Sequence, residues 1–289
     1  MLSLKYIREN KDYVQESLSK KQSKTDVDKL LELDSQRRHY LQEVEQLRSE
    51  KNKVSNTIAD LKKAGRVADE EIAAMRSVSE KVKEVETNLH LVENAVQSDI
   101  YYIPNIVHST VPVGKDESEN VTVREWGDKP EFSFQPKDHL ELGDKLGLFD
   151  FRRSVKMAGS GFSLYTGLGA KLERALINFM LDFHTESHGY VELFPPFLAN
   201  ANAMQNTGQL PKFEADQFEI KLDNDSDRKF LIPTAEVILT NMVREKTLSF
   251  KELPIRLVAS TACFRKEAGS YGKDTKGMIR QHQFYKVEL

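Results

Sequence analysis

The sequence predicts an α+β protein, a long N-terminal antiparallel coiled-coil arm followed by a domain of mixed helices and strands. Three observations predict it. Two seven-residue apolar repeats flank a glycine near residue 65. Charged residues make up 30% of the chain and hydrophobic residues 39%, more charge than the roughly 25% of an average globular chain. From about residue 136 the pattern changes to one strong helix and several alternating apolar runs. Aromatic residues at 9% and regular apolar spacing argue against disorder. The excess charge fits a solvated helical stalk that buries only its seam. A length of 289 residues corresponds to about two domains.

Residues 3–20 read as a short amphipathic helix with Leu4, Ile7, Val14 and Leu18 near helical spacing and Ser3 as its cap. Thr25 and Asp28 resemble a capping box. Leu30, Arg37, Val44, Lys51 and Ile58 then form one heptad series, and Leu33, Tyr40, Leu47, Val54 and Leu61 the other. Gly65 fits a helix end. Met75, Val82, Leu89 and Val96, with Val78, Val85 and Val92 between them, form a second repeat that Asp69 would cap and Pro104 would stop. Two long helices joined by a short turn fold back as an antiparallel pair. The expected arm is 1–103, with the coiled coil over about 27–98 and its tip over about 62–68. Residues 104–135 read as a connection with short β-type runs such as Val121-Thr122-Val123, and 136–289 as the second domain. Within it, Leu172 to His184 reads as a helix with an almost wholly apolar face. Phe230–Ile232, Arg256–Ala259 and Gln283–Leu289 read as strands.

The 42 basic and 45 acidic residues give a net charge of −3. A nucleic-acid contact must therefore be a local patch. Near the arm tip, Arg48, Lys51, Lys53, Lys62, Lys63 and Arg66 outnumber Glu50 and Asp60. That surplus reads either as an ordinary solvated helix surface or as a phosphate-binding tip. Cys263 is the single cysteine, so an intrachain disulfide and a multi-cysteine zinc site are both ruled out, which favours a reducing compartment. The N-terminus has no secretory apolar core, and no apolar stretch approaches the roughly 20 residues of a membrane span. A cytoplasmic protein without membrane contact is expected.

The chemistry-bearing segment is Phe264-Arg265-Lys266-Glu267, a Gly-rich polar loop, and Arg280-Gln281-His282-Gln283-Phe284-Tyr285-Lys286-Val287-Glu288. Residues two apart on a strand share a face. Arg265 and Glu267 are thus expected to point one way, as are Phe284, Lys286 and Glu288 on the partner strand. Such a face offers a fork for phosphate or carboxylate, a ring for stacking, and carboxylates for an amine or hydroxyl. Cross-strand ion pairing on a surface sheet is the plainer alternative.

Phe-Arg-x-Glu, a loop, then Arg-x3-Phe-x3-Glu resembles motif 2 of the class II aminoacyl-tRNA synthetases, and Gly189-Tyr190 through Pro196-Phe197-Leu198 resembles their motif 1. Thr207-Gly208-Gln209-Leu210-Pro211-Lys212-Phe213, Pro233-Thr234-Ala235-Glu236, His282-Gln283-Phe284, Ile103-Pro104-Asn105-Ile106 and Val111–Glu117 narrow the resemblance to the bacterial seryl-tRNA synthetase family. It covers essentially the whole chain and implies an antiparallel-sheet catalytic domain. It implies ATP contacts at Arg265, Lys266, Glu267 and Phe284, with Arg265 central to catalysis. Serine contacts are implied at Thr234, Ala235, Glu236, Arg265 and Glu288. Contacts to tRNA are implied at the six basic arm residues, and at Lys273 and Lys276 in the motif 2 loop. A dimer interface is implied at Pro196. The implied reaction is ATP-dependent activation of L-serine to seryl-adenylate, with Mg2+ accompanying the ATP, and transfer to tRNA(Ser), with tRNA(Sec) left open. The enzymes of this family are homodimers.

No Gly-x-Gly-x-Gly-x-x-Arg segment like motif 3 occurs in these residues. An incomplete catalytic domain, inactive by itself in forming seryl-adenylate, with no protein metal ligands of its own and with an aggregation-prone edge at its last strand, is therefore expected. A non-catalytic synthetase-like RNA-binding protein is the rival reading, and a coiled-coil adaptor a third. Intact Arg265, Glu267, Thr234 and Glu288 weigh against both.

Overall fold

A computed structural model describes residues 2–221, 227–267 and 277–289. The chain divides into two compact units, 1–126 and 127–289.

The first unit is helical. Helices α1 (Leu4–Glu9) and α2 (Lys11–Lys20) precede the long α3 (Val27–Lys63) and α4 (Asp69–Ile100). The single helix expected over 3–20 is broken at Asn10, whose backbone leaves the helical region at φ −130° and ψ 39°. Its side-chain amide donates to the Tyr6 carbonyl at 3.0 Å, the local competition that makes Asn a poor mid-helix residue. Ser3 does cap α1, accepting from the Tyr6 N–H at 3.1 Å.

The long helices form the expected pair. Val44, Val78, Val82, Val85 and Val96 are buried, while most of the remaining seam positions are half-buried. Gly65, at φ 68°, takes the left-handed position after α3, and the Arg66 N–H closes the turn on the Leu61 carbonyl at 2.9 Å. Two expected caps are displaced by one residue. Asp26 rather than Thr25 caps α3, accepting from the Lys29 N–H at 3.0 Å. The Thr25 hydroxyl instead meets Ser23 Oγ at 2.9 Å and donates to the Tyr102 carbonyl at 3.3 Å. Asp69 is the first residue of α4 and not its cap. With Glu70 and Glu71 it puts three carboxylates in the first turn, where the helix dipole favours negative charge.

The arm is braced at its base. Ile7, Val14, Leu18, Val27, Leu30, Val96, Ile100 and Ile103 form one core. Beside it lies Asp34, 0% exposed. Arg8 Nη1 meets its Oδ2 at 2.6 Å, Arg37 Nη2 its Oδ1 at 3.2 Å, and Arg38 Nε its Oδ2 at 3.3 Å. Burial by itself would raise the Asp34 carboxyl, but the hydrogen bonds from Arg8 and Arg37 outweigh it and hold the group below the usual carboxylate range. Arg37, an apparent misfit in the heptad seam, is there to meet this carboxylate. Among the described residues Val121-Thr122-Val123 pairs with no strand, and Val123 is 97% exposed.

The second unit carries helices α5 (His139–Leu146), α6 (Phe151–Ala158) and α7 (Leu168–His188) before its sheets. Asp138 and Asp150 cap the first two, accepting from the Glu141 and Arg153 N–H groups at 2.9 Å. Helix α7 runs four residues further at each end than the apolar pattern predicts and stops at Gly189 with φ 67°. Leu172, Leu176, Phe179 and Phe183 on it are exposed.

Strands β1 (Val191–Glu192), β5 (Leu257–Phe264) and β6 (Gln283–Glu288) form one sheet in the order β1-β5-β6. β1 runs parallel to β5, and β5 antiparallel to β6, so this sheet is mixed. Strands β2 (Leu198–Asn200), β3 (Glu219–Ile220) and β4 (Lys229–Leu231) form an antiparallel second sheet in the order β2-β4-β3. Helices α8 (Ala201–Asn206) and α9 (Glu236–Asn241) complete the unit. Phe230, Met204, Ile232 and Val237 fill the core beside the second sheet. Among the described residues no helix is long and apolar enough to cross a membrane.

Candidate functional site

Strand β5 is almost wholly buried, with Val258, Ala259, Thr261, Ala262 and Cys263 all in the interior. Burial pushes the Cys263 thiol up, which makes it a packing residue and not a nucleophile. The register pairs Cys263 with Phe284, Thr261 with Lys286 and Ala259 with Glu288. Alternation along β6 then sets Phe284, Lys286 and Glu288 on one face, as the sequence predicts.

Arg265 and Glu267 reach that face by a different route from the one predicted. β5 ends at Phe264, so neither residue lies on a strand. The Arg265 N–H donates to the His282 carbonyl at 2.9 Å, and Arg265 Nε donates to the Pro233 carbonyl at 3.3 Å. Glu267 has φ 49°, a left-handed backbone that is strained for a side chain with a Cβ. The turn nevertheless aims both residues at one cleft of about 440 Å³. It is lined by Arg265, Glu267, Met278, Ile279, Arg280, Gln281 and Phe284. The Arg265 guanidinium lies 5.2 Å from the Phe284 ring centroid, within cation–π range. Arg280 Nη1 donates to Glu267 Oε2 at 2.8 Å. The Lys266 side chain turns aside toward the Phe218 ring, at 5.7 Å.

Beside this cleft Thr234 is buried. Its hydroxyl donates to Glu288 Oε2 and accepts from the Glu236 N–H at 3.2 Å and from Lys286 Nζ at 3.2 Å. Lys286 Nζ is also ion-paired with Glu288 Oε2. Thr234 thus serves the start of α9 as well as the corner. Ala235 is buried beneath, and Glu236 is exposed. Glu236 lines a neighbouring hollow of about 450 Å³ together with Glu288, Leu239 and Tyr190.

The start of β6 is set by a close approach. His282 N–H donates to the Gly161 carbonyl at 2.7 Å. A Cβ at Gly161, where φ is 80°, would lie 2.4 Å from His282 Cδ2. Gly161, Arg280 and Lys286 are not among the site residues that the sequence singles out. Arg280 and Lys286 did carry a signal, since each stands in a strand-flanked motif among the chosen residues. Gly161 carried none.

The six basic arm residues are strung along α3 and its turn, not gathered at one point. From Arg48 to Lys63 the rise is about 22 Å at 1.5 Å per residue, and Arg66 follows in the turn. Arg48 is turned across the pair to Glu86, Nη2 to Oε1 at 2.7 Å. Lys51 is half-buried in the seam, while Lys53, Lys62, Lys63 and Arg66 are exposed. Pro196 is exposed between β1 and β2. Lys273 and Lys276 lie outside the described residues.

Residues 1–107 match the seryl-tRNA synthetase N-terminal domain, and residues 217–289 match the tRNA synthetase class II core domain (G, H, P, S and T). The serine--tRNA ligase of Carboxydothermus hydrogenoformans is 50% identical over 289 residues, covering 100% of this chain and 67% of that protein. That of Desulfosudis oleivorans is 52% identical over 292 residues, with the same coverage. The crystal structure of seryl-tRNA synthetase from Pyrococcus horikoshii complexed with ATP superposes with a TM-score of 0.81 at 34% identity, covering 99% of this chain and 68% of that one. The chain thus spans about two thirds of the length of these relatives.

Proposed function

This chain belongs to the seryl-tRNA synthetase family, and from that premise we propose that the Arg265 cleft receives ATP and the Thr234–Glu288 corner receives L-serine. One observation carries the reading. Arg265, Glu267 and Phe284 converge on a single cleft, and the Thr234–Glu288 pair lies beside it on the same face of β6.

The residues then take these roles. Phe284 stacks on adenine while Glu267, braced by Arg280, accepts from the adenine amino group. Arg265 presents a rigid fork that can hold the α-phosphate and the serine carboxylate together. A serine carboxylate oxygen bonds to the α-phosphorus as the bond to the bridging oxygen breaks, and pyrophosphate departs with that electron pair. A terminal ribose hydroxyl of tRNA(Ser) then attacks the acyl carbon, its proton passes to the adenylate phosphate, and AMP leaves as the acyl–phosphate bond breaks. These steps need alignment and neutralised charge more than a protein base. Ala235 and Glu236 border the serine corner, and Lys266 the nucleotide side. Mg2+ would arrive with the phosphates, since a hard cation is held chiefly by phosphate oxygens and water. Among the described residues no group of three or more His, Cys, Asp or Glu side chains forms a protein cage for it, and no step here runs through it.

The exposed tip residues Lys53, Lys62, Lys63 and Arg66, with Lys51 nearby, supply phosphate contacts to tRNA(Ser). The open apolar face of α7, with Pro196 close in sequence, is the surface on which a homodimer would form. A cytoplasmic enzyme follows from the family. Titration with ATP tests the reading. Arg265→Ala and Phe284→Ala should each weaken ATP binding about tenfold or more, because stacking or a charge-assisted phosphate contact is lost. Unchanged affinity in both variants would refute the assignment.

A further inference from the structure

The three groups at the corner do not share the Glu288 carboxylate evenly. Thr234 Oγ1 and Lys286 Nζ both bind the same oxygen, Oε2. Among the described residues Oε1 accepts no hydrogen bond. The Thr234 hydroxyl is saturated, with its one proton given to Glu288 and its two lone pairs taken by the Glu236 N–H and Lys286 Nζ. The pair is half-buried, the Lys286 and Glu288 side chains being 35% and 17% exposed.

Two consequences follow. The carboxylate is pinned by two donors on one oxygen, so it presents a single acceptor, Oε1, in a fixed direction. Its charge is also already compensated by the Lys286 ammonium. A second ammonium on Oε1 would stand close to the first and be repelled, whereas a neutral hydroxyl would not. We infer that Lys286 is the specificity-determining positioning residue of the amino-acid corner. It holds Glu288 so that Oε1 reads the substrate hydroxyl and not its ammonium.

This rests on the proposed serine corner and adds to it the residue that makes the corner selective. Selectivity of this kind depends on a buried acceptor left unpaired when the hydroxyl is missing. Without Lys286 the carboxylate can rotate and Oε1 no longer meets the hydroxyl in a fixed direction, so serine loses its advantage over alanine.

The test uses two inert mimics of the adenylate, seryl-sulfamoyl-adenosine and alanyl-sulfamoyl-adenosine, with binding measured by calorimetry. AMP binding serves as the control for an intact nucleotide cleft. The unaltered chain should prefer the seryl compound. Lys286→Met keeps the aliphatic stem and removes the donor. It should weaken the seryl compound about tenfold, the size of one lost hydrogen bond to a charged group, and leave AMP and the alanyl compound within about twofold. Lys286→Arg retains both the donor and the charge and should restore most of the preference, and Lys286→Gln, a donor without the charge, should restore only part of it. If Lys286→Met keeps the full seryl preference, the role of Lys286 is refuted while the serine corner stands. If the Met, Arg and Gln variants lose it equally, the effect is one of packing and the inference also falls. If the unaltered chain shows no preference, the serine corner itself is wrong, and this inference with it.

Discussion

Asp34→Asn is the sharpest test of how the arm is braced. The change keeps the shape and removes the charge. Asp34 is covered on all sides, while its arginine partners keep 26–52% of their side-chain surface in solvent. Breaking a fully buried pair costs about 3–5 kcal/mol. The solvated arginines lower that figure, because they can turn to water instead of remaining stranded. The neutral amide also keeps one acceptor and places an N–H₂ group against cations. A loss of about 2–4 kcal/mol follows, or roughly 10 °C in the melting of a unit this size. Circular dichroism at 222 nm reads it, because the arm dominates the helical signal. The sign with pH is fixed by the depressed carboxyl. Its contribution is complete above the unfolded carboxylate value of about 3.9 and is lost as pH falls through the lower folded value. The gap between the native chain and Asp34→Asn should therefore be constant near neutrality and close below about pH 4. A melting shift under 2 °C at pH 7, or a gap that widens in acid, would refute the reasoning.

Phe230→Ala, at a fully buried position, should cost about 3–5 kcal/mol in urea unfolding of the second unit, and a cost under 1 kcal/mol would contradict its place in the core. Gly161→Ala meets both a left-handed backbone and the His282 ring; it should destabilise by about 1–3 kcal/mol and weaken ATP binding by displacing the start of β6. Replacing Lys62, Lys63 and Arg66 together by Ala should flatten the logarithmic salt dependence of tRNA binding by about 2–3. Arg48→Ala, whose guanidinium is engaged with Glu86, should change that slope by less than 1, and an equal effect of the two variants would rule out a contact at the tip.

The arm was legible in the sequence because heptads report their seam directly: Leu30, Val44, Val82 and Val96 are buried where the repeat places them. Breaks and caps were not legible at one-residue precision. Whether Thr25 or Asp26 caps α3 depends on which side chain another segment captures, and Tyr102 takes Thr25. The face formed by Phe284, Lys286 and Glu288 followed from alternation alone. Arg265 and Glu267 line one cleft with Phe284, but not by strand alternation, since a left-handed turn at Glu267, invisible to a period-two pattern, aims them there. The parallel pairing of β1 with β5 involves two residues of β1, too few to leave a periodic trace. Lys286 was placed on its face, but its role was hidden. Which oxygen of a carboxylate is occupied is a three-dimensional fact.

The arm is also a lever. With 37 residues, α3 extends about 55 Å at 1.5 Å per residue, so a rotation of about 5° at its root carries the far end about 5 Å, more than the roughly 3.4 Å axial spacing of phosphates on one strand of a duplex. Under the proposed tRNA contact, the register in which the tip would meet a backbone is set at the opposite end of the helix, where Arg8 of α1 holds Asp34. Substitutions there can shift which phosphates are met without changing one residue that touches them.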